Sequence, residues 1–400
     1  MNSPAKTLPL TSIEAPRMGE PYLLTPGPLT TSFGVKEAML RDWGSRDGEF
    51  IAMTAEMRER ILAIAGLGAP EFDCVPMQGS GTFAVESMLG TFLPGDGKAL
   101  VLANGAYGLR IGKILERIGR SFTLIDKGDY LPPRGSEVSA ALSADPTITH
   151  VVAVHCETSS GILNPIEEIA QATEAAGCKL FIDAMSAFGA IPLDIEKVKF
   201  AALAASSNKC IEGVPGIGFV ITTKSELEAA KGQCHSLSLD AHDQWVGLEK
   251  NGQWRFTPPT HVLAAFVEAL RRHAAEGGVA ARGGRYQRNC DILVGGMREL
   301  GFETLLNERW LSPIIITFFY PAHPNFDFDR FYDLIRERGI VIYPGKLTVA
   351  DSFRIGCIGQ LGEDVMRQVV EASAAALKDM GVDNASPSGE ALEERQKLTT

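Results

Sequence analysis

Short apolar runs, often β-branched, alternate with amphipathic stretches from residue 22 to about residue 220. Ala99-Leu100-Val101-Leu102-Ala103, Ser121-Phe122-Thr123-Leu124-Ile125 and His150-Val151-Val152-Ala153-Val154 are close to continuously apolar. Lys179-Leu180-Phe181-Ile182-Asp183 and Gly218-Phe219-Val220-Ile221 extend the series. Strands of this kind are buried on both faces of a sheet. Residues 107–118 and 166–176 between them have helical spacing. The pattern predicts an α/β fold, with a mostly parallel central sheet sandwiched by helices.

After Pro258-Pro259 the pattern changes. A long helical stretch covers 260–276, breaks at Gly277-Gly278 and resumes over 282–300. A strand at 314–319, a helix at 328–338, strands at 340–343 and 353–356, and a helix at 361–379 follow. We therefore expect a large domain over 21–279 and a smaller α+β C-terminal domain over 280–382. Residues 1–20 are polar and contain proline, as an irregular arm would. Residues 383–400, rich in Ser, Pro, Glu and Lys, are expected to be a disordered tail.

Four hundred residues suffice for a core of this size. A net charge of −11 argues against general binding to nucleic acid or anionic membranes. An anionic substrate would then need a local positive pocket. Seven cysteines, at 74, 156, 178, 210, 234, 290 and 357, are scattered without a CxxC pair. They read as reduced thiols rather than a disulfide frame or zinc site. The histidines show no ligand spacing that proposes a metal. No apolar run approaches a bilayer span and no signal-peptide pattern opens the chain, so a cytoplasmic enzyme is expected.

Two strand ends carry the chemistry. The apolar strand 179–183 ends on Asp183, and the small apolar run Ala201–Ser206 continues through Ser207-Asn208 to Lys209. Ligands of open α/β sheets sit at the carboxyl ends of strands. A carboxylate and an amine brought to one rim is the layout that pyridoxal 5'-phosphate (PLP) chemistry requires. The amine forms a Schiff base with the cofactor aldehyde, and the acid keeps the pyridine nitrogen protonated. Taken singly, Asp183 is equally a helix cap and Lys209 a surface lysine. Taken together at one crevice, those readings weaken.

Other segments reach the same rim. Met77-Gln78-Gly79-Ser80-Gly81-Thr82 precedes a helical pattern, where amides and hydroxyls suit a phosphate; a capped glycine turn is the competing reading, at about even odds. Tyr107, after Asn104-Gly105-Ala106, can stack on a flat ring or simply pack at a helix start. Thr158 in His155-Cys156-Glu157-Thr158 can reach the cofactor's phenolic oxygen, against a plain polar turn. Arg354, in the apolar strand Ser352-Phe353-Arg354-Ile355-Gly356, needs an anionic partner: a substrate acid or a structural carboxylate. Trp254-Arg255-Phe256-Thr257-Pro258-Pro259-Thr260-His261 is a further polar and aromatic cluster, or only a helix lead-in.

With these motifs the chain resembles the class V aminotransferases, PLP enzymes of fold type I, over about residues 21–380. The resemblance includes Leu24-Thr25-Pro26-Gly27-Pro28, Gln78-Gly79-Ser80-Gly81-Thr82, Asp183-Ala184-Met185-Ser186 and Asn208-Lys209-Cys210-Ile211-Glu212-Gly213-Val214-Pro215-Gly216. The last of these and the Trp254–His261 run point to the phosphonate branch. The resemblance implies transamination between 2-aminoethylphosphonate and pyruvate. Another class V activity, alanine–glyoxylate or serine–pyruvate, is the alternative. It implies Lys209 as the cofactor lysine and Asp183 as the ring-nitrogen partner. Ser80, Gly81, Thr82 and Asn208 would line the phosphate, with Tyr107 on the ring. It further implies a homodimer with shared sites, Thr257 reaching the partner's cofactor phosphate. Arg354 would hold the substrate acid under the loop containing Pro26 and Gly27. The chain departs from many relatives at Arg46, where an aromatic residue is expected.

Overall fold

Seven strands build the central sheet: β1 (Phe72–Gly79), β2 (Lys98–Ala103), β3 (Ser121–Asp126), β4 (His150–Val154), β5 (Lys179–Asp183), β6 (Ala202–Ser206) and β7 (Gly216–Thr223). Their spatial order in this computed structural model is β1-β7-β6-β5-β4-β2-β3. β2 to β6 pair in parallel, while β7 runs antiparallel to both β6 and β1. The structure describes residues 13, 15–16, 19–68, 70–345 and 350–399, so the expected arm at 1–20 lies largely outside the described residues.

Ten helices matter to the site and its support: α1 (Gly48–Ile64), α2 (Gly81–Phe92), α3 (Ala106–Arg117), α4 (Ile166–Ala175), α5 (Ala241–Asn251), α6 (Thr260–Glu276), α7 (Gly278–Glu299), α8 (Phe328–Glu337), α9 (Glu363–Met380) and α10 (Gly389–Thr399). Alternate residues of each strand point to opposite faces. Leu100, Leu102, Leu180, Ile182 and Leu203 enter one core with Phe50, Met57 and Ile61 of α1, Ile166 and Ile169 of α4, and Leu263 and Phe266 of α6. Val101, Val152, Phe181 and Ala204 enter the other with Met88 and Leu89 of α2 and Ile111 and Leu115 of α3. Burial on both sides explains why these strands are apolar throughout rather than alternating.

A second sheet, ordered β8 (Ile315–Phe319), β10 (Ser352–Gly356), β9 (Tyr343–Pro344), is antiparallel. Its core gathers residues of α7, α8 and α9. Phe353 is fully buried there, its ring centroid 5.4 Å from Phe331, 5.5 Å from Phe302 and 5.7 Å from Phe318.

Three details depart from the expected organisation. The single strand expected at 340–343 is divided: Ile340 and Val341 pair in parallel with Tyr22 and Leu23, whereas Tyr343 and Pro344 pair with β10. Leu24 is completely buried in the second core, so residues 22–24 pack with the C-terminal unit although the sequence groups them with the large one. The expected disordered tail contains α10. Leu392 packs against the Leu305–Leu306 cluster, and Arg395 donates to the Thr304 carbonyl at 2.6 Å. Composition alone misses such a helix because tertiary contacts hold it.

Truncating the aromatic hub of the second core should be severe. Phe353→Ala is expected to cost about 3–5 kcal/mol through the cavity it leaves. Leu40→Ala, at a side chain 83% exposed, should stay within about 0.5 kcal/mol. Thermal unfolding of both variants checks the contrast; equal midpoints would refute it.

Candidate active site

The carboxyl ends of β5 and β6 open into a cavity of about 170 Å³. It is lined by Ser80, Gly81, Thr82, Val85, Tyr107, Arg110, Ile111, Ile114, Asp183, Met185, Ser206, Asn208, Lys209 and Pro215. Adjacent parallel strands place Asp183 opposite Ala204, which leads Lys209 out of the turn between β6 and β7. That turn is closed locally: Glu212 N–H donates to the Lys209 carbonyl at 2.8 Å, and Gly213 N–H to the Ser207 carbonyl at 2.8 Å. Ser206 Oγ donates to Asn208 Oδ1 at 3.0 Å, orienting the Asn208 amide.

The N-terminus of α2 forms another wall. Ser80 is its cap residue, with extended backbone, yet its hydroxyl makes no capping hydrogen bond. The first amides of the helix and the hydroxyls of Ser80 and Thr82 therefore meet at the cavity, where the helix dipole favours an anion. Arg110 adds a cation: Nη1 donates to Thr82 Oγ1 at 3.1 Å, and its guanidinium lies 4.8 Å from the Tyr107 ring centroid.

Burial pushes the Asp183 carboxyl up to about 6, with the nearby Glu157 acting in the same sense. The Met185 N–H, donating to Oδ1 at 3.0 Å, and the charges of Arg110 and Lys209 oppose the rise. Glu157 itself is fully buried. Burial raises its carboxyl, and the donors arrayed on it act against that rise. These are the amides of Tyr107 and Gly108 at 3.0 and 3.2 Å, and the amide and hydroxyl of Ser159 at 3.1 and 2.6 Å. Glu157 thus ties the first turn of α3, and Tyr107 on it, to the end of β4.

Lys209 Nζ donates to the Pro26 carbonyl. Gly27 has a φ of +119°, which favours glycine, and a Cβ there would lie 2.5 Å from Nζ and push the amine aside. The segment leading into the loop is bound to β10, where Gly356 N–H donates to the Leu24 carbonyl at 2.9 Å, and a Cβ on Gly356 would stand 2.5 Å from the Thr25 carbonyl oxygen. Arg354 of β10 is 2% exposed and donates only to carbonyls: Nε to Pro344 at 3.1 Å and Nη1 to Thr158 at 2.9 Å. Among the described residues no carboxylate pairs with it. Burial lowers its pKa, yet a guanidinium stays charged at neutral pH. The Thr158 hydroxyl beside it is buried with no partner among the described residues.

The expected residues Ser80, Gly81, Thr82, Tyr107, Asp183, Asn208 and Lys209 thus line one cavity, and Pro26 and Gly27 cover its amine. Thr158 and Arg354 are joined to each other beyond that lining. Thr257 stands apart, exposed on the surface, and Arg46 is exposed in the turn before α1. Sequence reasoning missed Arg110. Its signal was the spacing Tyr107, Arg110, Ile111, Ile114, one helical face aimed at the rim. It also missed Glu157, whose role depends on a helix terminus that is distant in sequence.

A PLP molecule fits what is present. Its phosphate would be held at the α2 terminus, its ring nitrogen by Asp183 and its aldehyde by Lys209, with the Thr158 hydroxyl free to donate to its phenolic oxygen. Among the described residues no cluster of His, Cys, Asp and Glu is arranged to hold a metal ion. No described helix is long and apolar enough to cross a membrane. Cys357 is buried beside Cys290 with its pKa driven well above the ordinary value.

Comparisons with known proteins agree with this geometry. The family model described as Aminotransferase class-V matches residues 111–357. A 2-aminoethylphosphonate–pyruvate transaminase of Rhizobium meliloti (strain 1021) is 66% identical over 381 residues, covering 95% of this chain and 100% of the relative. Transaminase 1 of the same description from Paraburkholderia xenovorans (strain LB400) is 65% identical, covering 96% and 98%. Pyridoxamine–pyruvate aminotransferase from Mesorhizobium loti superposes with a TM-score of 0.83 at 22% identity, covering 96% of this chain and 98% of that one. Alanine–glyoxylate aminotransferase from Nostoc sp. gives 0.82 at 22% identity, covering 91% and 96%; at such identities the likeness establishes the fold. With a fold-type I sheet, a PLP-shaped set of partners and near-full-length relatives, the chain belongs to the class V aminotransferase family.

Proposed function

We infer that this chain transfers the amino group of 2-aminoethylphosphonate to pyruvate, giving phosphonoacetaldehyde and L-alanine, with PLP as coenzyme. The observation that carries the chemistry is the cavity shared by Asp183, Lys209 and the α2 terminus. The substrate pair follows from relatives that match along nearly their whole length.

When bound, PLP supplies an aldehyde that condenses with amines and a ring that accepts the electron pair left by a departing proton. Every other task falls to the chain. Ser80, Gly81, Thr82 and Asn208 bind the phosphate, and Tyr107 stacks on the ring. Asp183 keeps the pyridine nitrogen protonated. Its carboxyl, raised only to about 6, is still mainly ionised at neutral pH. Thr158 donates to the phenolic oxygen. Lys209 Nζ takes the proton from the donor's amine-bearing carbon and returns it, acting as base and then acid. Arg354 holds the phosphonate of one substrate and the carboxylate of the other, because both acids lie one or two carbons from the reacting centre. Pro26 and Gly27 exclude water above the amine.

A homodimer with shared sites accounts for Thr257 standing outside the cavity of its own chain. Support comes from large apolar side chains left exposed beside these residues: Phe83 next to Thr82, Leu109 next to Arg110, and Phe256 next to Thr257. A cytoplasmic location fits seven free cysteines.

Lys209→Ala should abolish turnover and the visible absorbance of lysine-bound coenzyme; full activity would end the assignment. Arg354→Ala should raise KM for both acids by about ten- to a hundredfold, since each charge-assisted contact is worth about 1.5–3 kcal/mol. Unchanged constants would place the anion clamp elsewhere. Asp183→Asn should slow the proton shift far more than it weakens coenzyme retention, measured by rapid mixing and by equilibrium titration. In the same assays, turnover of L-serine in preference to 2-aminoethylphosphonate would overturn the substrate assignment.

A further inference from the structure

One face of α7 presents four buried polar side chains at helical spacing: Arg282, Arg285, Tyr286 and Asn289. None of them lines the cavity. They grip two segments at once. Towards the turn after β6, Arg285 Nη2 and Tyr286 Oη donate to Glu212 Oε1 at 2.7 and 2.6 Å, and Arg282 Nη1 donates to the Cys210 carbonyl. Towards the segment after β10, Arg285 Nη1 donates to the carbonyls of Gly359 and Leu361 at 2.6 and 3.0 Å. Asn289 Nδ2 donates to those of Cys357 and Leu361 at 3.1 and 3.0 Å. Glu276 completes the cluster, accepting from Arg282 Nε at 2.7 Å and Arg285 Nε at 2.8 Å.

Glu212 is the centre of this face. It is 5% exposed, and the charges of Arg282 and Arg285 overcome the penalty of its burial. Its φ is +61°, the one left-handed non-glycine backbone among the described residues. A residue persists in that region only where its surroundings over-determine it, and such outliers gather at functional sites. The outlier here lies three residues after Lys209, to whose carbonyl its own N–H donates.

We infer that Glu212 is a positioning residue for Lys209: through the α7 face it fixes the lysine turn in register with strand β10 and its Arg354. This rests on the reading of Lys209 as the coenzyme lysine. Glu212 touches neither cavity nor substrate. It acts by allowing the amine and the acid clamp, carried on segments separated by more than a hundred residues of sequence, a single relative placement.

Two holoenzyme variants test the inference against wild type. Glu212→Gln removes the charge, and Tyr286→Phe removes the hydroxyl's two hydrogen bonds, to Glu212 and from the Gly359 N–H, while leaving every ion pair. Both are expected to retain coenzyme. Turnover per bound coenzyme should fall about tenfold, since small misplacements of reacting groups are costly, with KM little changed. The kinetic isotope effect, with donor deuterated at its amine-bearing carbon, should rise as proton transfer becomes slower. The visible circular dichroism per bound coenzyme should change before any substrate is added. A lowered thermal midpoint with turnover, isotope effect and visible dichroism all at wild-type values would mean that the cluster only stabilises the fold, and would overturn the inference. If Glu212→Gln does not fold, Tyr286→Phe gives the same readings. Wild-type enzyme inactive on 2-aminoethylphosphonate would sink the substrate reading alone, because the substrate-free dichroism still decides the role of Glu212.

Discussion

A buried carboxylate, Asp183, which the proposed chemistry requires ionised, constrains this fold more than any other group. Burial alone would drive Asp183 towards the neutral form, and a neutral acid cannot hold a ring nitrogen protonated. The carboxyl edge of a parallel sheet is the place where such a group can be kept, because strand ends meet helix starts there and bring amides and cations within reach. Asp183 takes the Met185 amide and the fields of Arg110 and Lys209. Glu157, buried behind Tyr107, takes the first turn of α3. β5 and β6 lie side by side, so that acid and amine leave the sheet on one rim.

Much of this was legible in the chain because burial on both faces leaves a strong mark on sequence. The strands at 99–103, 150–154 and 179–183 have continuously apolar centres and stand within a residue of their expected places. What was not legible obeys other rules. β1 contains Asp73, Pro76 and Gln78, a poor signature for a central strand, yet it is the edge strand, where a proline's missing N–H costs no ladder bond. The division of 340–343 between two sheets depends on Tyr22 and Leu23 arriving from the far end of the chain. α10 is held by contacts to Thr304 and the Leu305–Leu306 cluster, which no local composition records.

The site shows the same split. Residues whose chemistry is unusual for their setting could be picked out singly: Asp183 closing an apolar strand, Lys209 closing another, Arg354 within a third. Residues whose role is to hold others could not. Glu157 and Arg110 look like ordinary helix and turn charges until α3 is seen to start at the rim. Glu212, Arg282 and Arg285 are common charged residues whose pairing spans about seventy positions, and no periodicity links them.

Arg354 and Arg285 show why the partner, and not the burial, distinguishes a binding cation from a structural one. Both are arginines with less than a tenth of their surface exposed. Arg285 has two carboxylates, Glu212 and Glu276, so its charge is compensated within the chain and breaking either pair would leave an uncompensated buried charge. Among the described residues Arg354 has hydrogen-bond partners in carbonyl oxygens alone, whose dipoles orient it without neutralising it. Holding such a cation away from water is a standing cost to the folded chain, offset by the packing of β10 in the second core. On the proposed reading, a small acid entering beside it would remove that cost at the moment of binding. The aromatic hub around Phe353, one residue away, holds the strand that carries this guanidinium.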